Sequence, residues 1–292
     1  MTLPKVSICI PAYQAPDLLR RALQSIFVQS YENYEVIITD DSSNNSIQDI
    51  IKEFETDSRL KYYRNSERKG SPNNWNEAVK YATGEYIKLL HHDDWLSEKD
   101  SLYKFVKMLD DNPNADFAFC SSAAYGPDEK LLFVHRPSKK QLSQLLKNPD
   151  YLFPENFVGA PSATIYRKRT NLKFDSRTKW VVDIDLYISL LRKNKTFVYC
   201  QEPLICIMTG SADQVTALCE NDRTVQLFEW LYLFNKLNQG RIPHFRHIKF
   251  VWSLLTKYRV KSTSDIINVG LLPPYSKVMY ALLLLRRLVP FS

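Results

Sequence analysis

The sequence predicts an α/β fold, in which a mostly parallel central sheet is flanked by helices and followed by a C-terminal helical extension. Short apolar runs alternate with segments of helical periodicity through residues 1–125, a pattern typical of parallel sheets. Pairs of aspartates stand directly after two of the apolar runs, and helical periodicity dominates from Val215 onward. Because ligands of such sheets bind beyond the carboxyl ends of the strands, the aspartate pairs mark the expected site.

The first elements follow one another in a regular order. The opening strand, Val6–Ile10, is a short apolar run closed by Pro11, as expected of a buried strand. In the helix after it, one face carries apolar residues at helical spacing: Leu19, Leu23, Ile26 and Phe27. Further strands are predicted at Glu35–Thr39, Leu60–Arg64, Tyr86–Leu90 and Asp116–Tyr125, and helices at Pro16–Ser30, Ile47–Phe54, Asn73–Ala82 and Lys99–Leu109.

The chain is less regular after this alternation ends. Prolines break the stretch from 130 to 171. A helix is then predicted at Val182–Arg192, and a strand at Phe197–Met208 that Pro203 interrupts.

The composition excludes several classes of protein. The chain has 292 residues, of which 45% are hydrophobic and 24% charged, the balance of a folded globular protein. It contains seven glycines and neither a GxxxxGK nor a GxGxxG motif, which argues against P-loop NTPases and dinucleotide-binding oxidoreductases. The five cysteines form no CxxC pair, so we interpret them as reduced core thiols of a cytoplasmic protein. The N-terminus runs directly into the first predicted strand, so no targeting segment is expected.

The two aspartate pairs each allow two interpretations. Asp93 and Asp94 follow a predicted strand, where two carboxylates suit Mg²⁺ or Mn²⁺, or where one of them simply caps the next helix. Asp40 and Asp41 could accept a hydrogen bond from the N3–H of uracil, or could cap the helix that follows. Of the neighbouring pair at 91 and 92, at most one histidine faces the pocket, because adjacent strand residues point to opposite faces.

Two further acids begin the predicted helix at residue 182. Asp183 and Asp185 lie in its first turn, where acids usually just interact favourably with the helix dipole. The functional alternative is that one of them points into the site as a general base.

In their order along the chain, these segments resemble the family 2 glycosyltransferases of the GT-A fold over about residues 4–215. The matching pieces are Val6–Tyr13, Leu23–Ile26, Gln29–Tyr31, Glu35–Ser43, Gly70, Asn76, Ala82–Ile87 and His92–Asp94. The resemblance implies a catalytic domain at residues 1–215, with a nucleotide-sugar half at 1–125 and an acceptor half at 126–215. Residues 216–292 then form a helical, basic extension.

The resemblance also implies a role for each matching residue. Asp41 would bind the base of a nucleotide diphosphate sugar, with Asp40 supporting the turn, and Asp93 would contact the ribose side. Asp94 would hold a divalent metal, Mn²⁺ or Mg²⁺, that bridges the diphosphate. Other residues expected around the nucleotide are Pro11, Ala12, Tyr13, Gly70 and Asn76.

On the acceptor side the resemblance makes Asp183 the base of an inverting transfer. Val182 stands where the family usually has glutamate before the aspartate, and Asp185 is the alternative base. The segment from 157 to 167 resembles the floor of the acceptor pocket, with Gly159, Pro161 and Ser162 expected there. The segment from 209 to 216 lacks the arginine and histidine often found at this point in the family.

The C-terminal extension carries the excess charge of the chain. The net charge is +7, and residues 241–292 contain nine Lys and Arg but a single acid, Asp265. An apolar stripe through Phe245, Val251 and Leu255 lies opposite basic side chains, which fits either an interfacial helix on an anionic membrane or a helix packed on the domain. No nucleic-acid partner is expected, since neither an aromatic–basic platform nor zinc spacing appears.

These features favour a bacterial surface-polysaccharide or glycolipid enzyme that transfers sugar from a UDP-sugar to a saccharide or lipid-linked saccharide. Its expected location is the cytoplasm, peripherally on the inner face of the cell membrane. A sugar-nucleotide nucleotidyltransferase is the first alternative, but it would carry a glycine-rich loop where this chain has Pro11–Ala15. A non-catalytic protein of the same fold is the second, and the presence of Asp41, Asp94 and Asp183 argues against it.

Overall fold

The computed structural model describes residues 4–171, 173–210 and 215–288. The strands are β1 (Val6–Ala12), β2 (Tyr34–Asp40), β3 (Leu60–Arg64), β4 (Tyr86–Leu89), β5 (Trp95–Leu96), β6 (Phe117–Tyr125), β7 (Leu131–His135), β8 (Thr164–Arg167) and β9 (Phe197–Met208). The helices are α1 (Pro16–Phe27), α2 (Ser46–Lys52), α3 (Asn73–Tyr81), α4 (Ser101–Asp110), α5 (Lys139–Lys147), α6 (Val182–Lys193), α7 (Val215–Cys219), α8 (Arg223–Leu237), α9 (Phe245–Lys257), α10 (Thr263–Ile267) and α11 (Lys277–Leu288).

Within the described residues all the strands join one sheet, in the order β3-β2-β1-β4-β8-β6-β9-β5, with β7 beside β6. The first four strands of this order pair in parallel. β8 lies between β4 and β6 and pairs antiparallel with both. β7 pairs antiparallel with β6, and β5 pairs antiparallel with β9. The sheet is therefore parallel from β3 to β4 in this order and mixed beyond β4.

The predicted elements of the first 125 residues are present within two or three residues of their expected ends. Every residue of β1 and β2 is buried, because helices cover both faces of the sheet there. On α1, Leu19, Leu23 and Ile26 of the predicted face are fully buried, and Phe27 at the end of the helix is half-buried. The sequence analysis did not predict β5, β7, β8 or α5, which are short or lie in the proline-broken stretch.

A buried polar network fixes the start of β4. The Glu35 carboxylate accepts hydrogen bonds from the Ser7 hydroxyl at 2.6 Å and from the Thr83 backbone N–H at 2.6 Å. Burial alone would raise the pKa of Glu35, but hydrogen bonds from Lys61, Ser7 and Thr83 outweigh it and lower the pKa to about 2. Gly84 fits tightly into this network, since a Cβ atom there would lie 2.7 Å from the Ser7 backbone nitrogen. The network therefore sets the register of β4 against β1.

The C-terminal helices pack on the domain. Val251, Leu255 and Met279 are fully buried in the same apolar cluster as residues of α3 and α6. The ring of Phe153 packs edge-on against Trp230 of α8, at 5.3 Å between ring centroids. The apolar stripe of α9 thus lies largely inside the protein, although Phe245 at its start is 75% exposed. Among the described residues, no helix combines the length and apolar character that a membrane crossing requires.

Candidate active site

The carboxyl ends of β1, β2 and β4 meet at one edge of the sheet. Ala12 pairs with Asp40 at the ends of β1 and β2, and the Asp41 N–H donates to the Ala12 carbonyl at 3.0 Å. The Leu90 N–H donates to the Cys9 carbonyl at 2.9 Å, which places the chain after β4 beside the same edge. The residues expected to bind a nucleotide begin at these strand ends.

Asp41 is the center of a hydrogen-bonded loop. One carboxylate oxygen accepts from the Gly70 N–H at 2.7 Å, and the other accepts from the Asn65 side chain at 2.6 Å and the Lys69 N–H at 3.1 Å. Gly70 adopts φ +69°, a conformation that favours glycine, so the chain can turn back toward Asp41. Asp41 thus orders the segment from 65 to 70 along the nucleotide edge.

Asp40 supports the turn after β2. It is fully buried, and its carboxylate accepts from the Ser42 N–H at 2.8 Å and from the Tyr62 hydroxyl at 2.7 Å. Asn74, which the sequence analysis did not single out, donates to the carbonyls of Ala12 at 3.3 Å and Thr39 at 3.0 Å. These contacts hold the ends of β1 and β2 together from the side of α3.

Asn76 of α3 bonds to the backbone of Phe174. Its amide donates to the Phe174 carbonyl at 2.8 Å and accepts from the Phe174 N–H at 3.0 Å. Both polar atoms of the side chain are therefore used in tying α3 to the segment before α6.

Two aromatic side chains at this edge carry an arginine over their rings. The Arg68 guanidinium lies 4.1 Å from the Tyr13 ring center, and that of Arg21 lies 3.8 Å from the Trp95 ring center. Arg21 also donates to the Asp93 carbonyl at 3.4 Å. Neither arginine was singled out from the sequence, because a lone arginine on a helix or loop has no motif. Both bring positive charge to the edge where a diphosphate would lie.

Asp94 is buried at this edge, at 2% exposure. Its Oδ2 atom has no hydrogen-bond partner among the described residues, and neither has Nε2 of His91. Burial, reinforced by the charge of Asp93, raises the pKa of Asp94 well above its usual value. One ligand atom each from His91, Asp93 and Asp94 lies within 4.8 Å of the others. This set fits a divalent cation, since a buried acid with an unused oxygen is costly without one.

The segment at residues 156–162 reaches this cluster from the acceptor half. The Ser162 hydroxyl accepts from the His91 N–H at 3.0 Å and also bonds to the Asp94 carboxylate. The Ser162 carbonyl accepts from the fully buried Lys88 ammonium, whose pKa burial lowers to about 7. Pro161 begins the short 3₁₀ turn, Pro161–Ala163, that presents this serine.

The other end of the same segment holds Asp183. The Asn156 amide donates to Asp183 Oδ2 at 2.7 Å, and the Ile184 N–H donates to Oδ1 at 2.8 Å. Burial raises the pKa of Asp183 to about 7, and these hydrogen bonds oppose the rise only in part. The side chain remains partly exposed, so a solvent-borne acceptor can reach it. A carboxyl with this pKa is matched to accepting a proton near neutral pH.

Gly159 shapes the middle of the segment. It adopts φ +99°, and a Cβ atom there would lie 3.3 Å from the His135 ring. Its carbonyl accepts from the Tyr187 hydroxyl at 3.2 Å and from Asn156 at 3.1 Å. Asn156 contacts Asp183, and Ser162 contacts Asp94. Since these two residues are six apart in sequence, their Cα atoms lie at most about 21 Å from each other.

Asp185 points elsewhere. It is 4% exposed, and its Oδ2 atom forms an ion pair with Lys236 of α8 at 2.6 Å. Residues two apart on a helix face roughly opposite directions, so Asp183 and Asp185 cannot serve the same pocket. Of the two acids, Asp183 is the one that the segment from 156 to 162 contacts.

A cavity of about 610 Å³ lies at the opposite edge of the sheet and is unrelated to this site. Lys5, Gly84 and Lys168 line it, near the amino end of β1 and β4. None of the residues expected to bind the nucleotide contributes to its wall.

The comparison with known sequences decides the family. The model of glycosyl transferase family 2 matches residues 7–173, more than half of the chain. The chain belongs to glycosyl transferase family 2. This family 2 enzyme is 29% identical over 197 residues to the putative teichuronic acid biosynthesis glycosyltransferase TuaG of Bacillus subtilis, covering 66% of the chain and 74% of TuaG. It is also 30% identical over 191 residues to the UDP-Glc:alpha-D-GlcNAc-diphosphoundecaprenol beta-1,3-glucosyltransferase WfgD of Escherichia coli, covering 65% of the chain and 70% of WfgD.

Solved structures confirm the GT-A fold of this glycosyltransferase. S. aureus TarS in complex with UDP-GlcNAc is similar with a TM-score of 0.64 at 14% identity, covering 97% of the chain and 79% of that structure. The mannosyltransferase PcManGT from Pyrobaculum calidifontis, in complex with GDP-Man and Mn²⁺, is similar with a TM-score of 0.59 at 17% identity, covering 92% of the chain and 74% of that structure. At these identities the likeness concerns the fold alone.

Proposed function

We propose that this glycosyltransferase moves a sugar from a UDP-sugar to an acceptor hydroxyl with inversion, and that Asp183 is the base. The observation that carries the proposal is the segment from 156 to 162, which contacts Asp183 at one end and Asp94 at the other. One segment thus contacts both Asp183, which is suited to proton transfer, and Asp94, which is suited to binding a cation on the diphosphate. Transfer from a nucleotide diphosphate sugar needs both.

Asp41 supports a uracil nucleotide as the donor. Its carboxylate accepts three N–H groups, from Asn65, Lys69 and Gly70, whereas a carboxylate offers about four lone-pair sites. The remaining site can accept the N3–H of uracil, a proton that cytosine lacks. Pro11 and Ala12 end β1 next to this acid, and Tyr13 follows them with Arg68 over its ring, where they would line the base and ribose pocket.

Asp94, with His91 beside it, would hold a divalent metal, Mn²⁺ or Mg²⁺. When bound, such an ion neutralises the negative charge that develops on the departing nucleoside diphosphate. The protein itself supplies the unused Oδ2 of Asp94 and keeps His91 neutral, since burial lowers the pKa of His91 to about 4. Asp93 would contact the ribose side of the donor. The similar fold of the mannosyltransferase PcManGT, solved with GDP-Man and Mn²⁺, supports the use of a divalent metal.

Asp183 then removes the proton of the acceptor hydroxyl while the acceptor oxygen attacks the anomeric carbon. The C–O bond to the nucleoside diphosphate breaks as the new glycosidic bond forms, so one displacement inverts the configuration. Asn156 and the Ile184 N–H hold the carboxylate in one orientation. A single base suffices for this reaction, and among the two candidates Asp185 is engaged with Lys236.

The acceptor proposed is a saccharide, free or linked to a lipid, in bacterial polysaccharide or glycolipid synthesis. The names of several relatives support this class: WfgD and a Campylobacter jejuni enzyme are named for acceptors on diphosphoundecaprenol or PP-undecaprenol, and a Bacillus spizizenii enzyme for poly(ribitol-phosphate). We place the acceptor along Gly159, Pro161 and Ser162, between the two carboxylate sites.

A lipid-linked acceptor would bring the enzyme to a membrane surface through its extension. Arg241, Lys249 and Lys257 are exposed there, together with the apolar side chains of Ile242 and Phe245. Exposed basic and apolar side chains in the same extension favour an anionic bilayer. Sedimentation of the full chain with anionic liposomes at low salt, and its loss at high salt, is the expected behaviour; indifference to the liposomes contradicts this part of the proposal.

A screen of nucleotide sugars with Mn²⁺ present tests the proposal as a whole. Hydrolysis or transfer should occur with a UDP-sugar, and calorimetry should show tighter binding of UDP than of CDP. Equal titration curves for the two nucleotides would remove the role of Asp41 in choosing the base. Absence of turnover with every nucleotide sugar, in a protein that binds UDP, would favour a binding protein instead.

A further inference from the structure

Helix α8 of the C-terminal extension presents polar side chains toward the chain around Asp183. Glu229, Tyr232 and Lys236 are three and four residues apart and so share one face of the helix. The Tyr232 hydroxyl donates to Asp175 at 2.6 Å, and the Lys236 ammonium lies 3.0 Å from Asp175 and 2.6 Å from Asp185. This face of α8 therefore contacts both the segment before α6 and the first turn of α6.

Glu229 makes the central contact of this face. Its carboxylate accepts three consecutive backbone N–H groups, from Lys179 at 2.9 Å, Trp180 at 2.7 Å and Val181 at 3.0 Å. Glu229 itself is 3% exposed, so these bonds lie away from solvent. Hydrogen bonds from N–H groups to a buried carboxylate are among the stronger ones in proteins.

The turn needs an outside acceptor because its own sequence offers none. Val181 is the N-cap residue of α6, and its apolar side chain caps nothing. Serine, threonine, aspartate or asparagine would normally fill this place and satisfy the free N–H groups of a helix start. Glu229, from a different part of the chain, instead accepts the N–H groups of Lys179, Trp180 and the N-cap residue Val181, which lead into the helix. The turn it holds ends two residues before Asp183.

We propose that Glu229 is a positioning residue for transfer: by binding the turn at 179–181 it sets the Asp183 carboxylate against the acceptor hydroxyl. The inference rests on the proposed role of Asp183 as the base. It makes α8 part of the active site, although no residue of α8 belongs to the family 2 match, which ends at residue 173.

The charge of Glu229 also acts on Asp183. Burial is the main cause of the raised pKa of Asp183, and the negative charge of Glu229 raises it further. The other groups that face Asp183 are the neutral Asn156 amide, which donates to it, and the Tyr187 hydroxyl on the next turn of α6. Glu229 is thus the acid whose removal should lower the pKa of the base.

Glu229→Gln tests the proposal. The substitution keeps the shape, removes the charge, and replaces one acceptor oxygen by an NH₂ group that cannot accept from the turn. We expect kcat to fall by about 10- to 100-fold, because small misplacements of a catalytic group cost this much. We expect KM for the donor to change less than twofold, about the error of such a comparison, because Asp41 and Asp94 lie on other elements. The acid limb of the rate–pH profile should move to lower pH, as the base loses a negative neighbour.

Gln226→Ala is the matched control on the same helix. Gln226 is buried to a similar degree, but it bonds to the Cys219 carbonyl and to Trp230, not to the turn before α6. It should lower the melting temperature without moving the pH midpoint. If Glu229→Gln and Gln226→Ala have the same kinetics, or if Glu229→Gln keeps the parent kcat and pH midpoint, the positioning role is wrong.

Two more variants keep the outcomes distinct. If Glu229→Gln does not fold, Glu229→Asp is measured instead. Because aspartate keeps the charge on a shorter side chain, kcat should fall while the midpoint of the rate–pH profile does not move to lower pH. A kcat equal to that of the parent would overturn the proposal. Asp183→Asn separates the two levels of inference. If the Asp183→Asn protein is active, Asp183 is not the base. If Asp183→Asn is inactive but Glu229→Gln keeps the parent kcat and pH midpoint, only the positioning role of Glu229 is wrong.

Discussion

The nucleotide edge and the acceptor half of this glycosyltransferase are built in different ways. At the nucleotide edge, functional side chains follow directly from strands that are recognisable one by one, as with Asp41 after β2 and Asp94 after β4. In the acceptor half, Asp183 depends on partners far away in sequence, since Asn156 lies 27 residues before it and Glu229 reaches the turn at Val181 across 48 residues. The first site is encoded locally, whereas the second is assembled by tertiary contacts. Substitutions in the two halves should therefore have different effects on folding and activity.

The largest expected effect is the loss of folding when the last three helices are removed. A chain ending near Gly240 loses α9, α10 and α11, and with them the burial of Val251, Leu255 and Met279. Each such side chain contributes about 1.5–3 kcal/mol, and a whole domain is stable by only about 5–15 kcal/mol. The truncated chain should be insoluble or unfolded by circular dichroism. A soluble truncated protein that still binds UDP would show that the nucleotide half folds without these helices.

Asp94→Ala should abolish turnover while leaving the fold intact. The substitution removes the buried carboxylate with the unused oxygen, so the cluster with His91 loses its innermost ligand. EDTA should have the same effect on the parent protein, and unchanged circular dichroism is the control for folding. Full activity of the parent in EDTA would contradict the metal role.

Asp183→Asn should reduce transfer by about 10²-fold or more while donor binding survives, because the amide keeps the shape but accepts no proton. In the parent enzyme the rate should rise with pH through about 7, where Asp183 loses its proton. The same raised pKa disfavours folding as the pH rises from 4 to 7, so Asp183→Asn should gain stability relative to the parent over that interval. Asp185→Asn is the control, and it should lose transfer only if the base has been misassigned.

The smallest expected effect concerns the register of the nucleotide half. Gly84→Ala places a methyl group against the Ser7 backbone and should cost about 1–3 kcal/mol in urea unfolding, as overpacking does. Gly126→Ala is the matched control, because its added Cβ meets side chains alone: the end of Asp128 at 3.0 Å and Leu132 at an ordinary contact distance of 3.5 Å. Equal unfolding midpoints for the two variants would mean that β4 can shift at little cost.

The sequence predicted the half that local rules determine. Alternation of apolar runs and helical periodicity located β1 to β4 and the acids after them, because strand period and helix period are properties of neighbouring residues. The confirmed family resemblance rested on the same region. The positions of Asp40, Asp41 and Asp94 at one edge followed from the rule that parallel strands end together.

The rest depended on contacts that no short pattern contains. Asn156 in a proline-broken stretch gave no signal that it would bind Asp183, and Asn76 could not be distinguished from Asn74, the residue that bridges β1 and β2. The apolar stripe of α9 fits a membrane helix or a packed helix equally well, because both require one apolar face. Glu229 is a single acid in a helix, and only the position of α8 shows which N–H groups it meets.

The segment from 156 to 162 has a consequence for attempts to redesign acceptor preference. It is the obvious piece to exchange with a relative of different specificity, since Gly159 and Pro161 lie in the proposed acceptor floor. Asn156 at one end steadies the base, however, and Ser162 at the other bonds to the carboxylate proposed to hold the metal. A grafted loop would have to carry both end residues unchanged and keep Gly159, whose φ of +99° favours glycine. The remaining positions between the ends are then free for altering which sugar is extended.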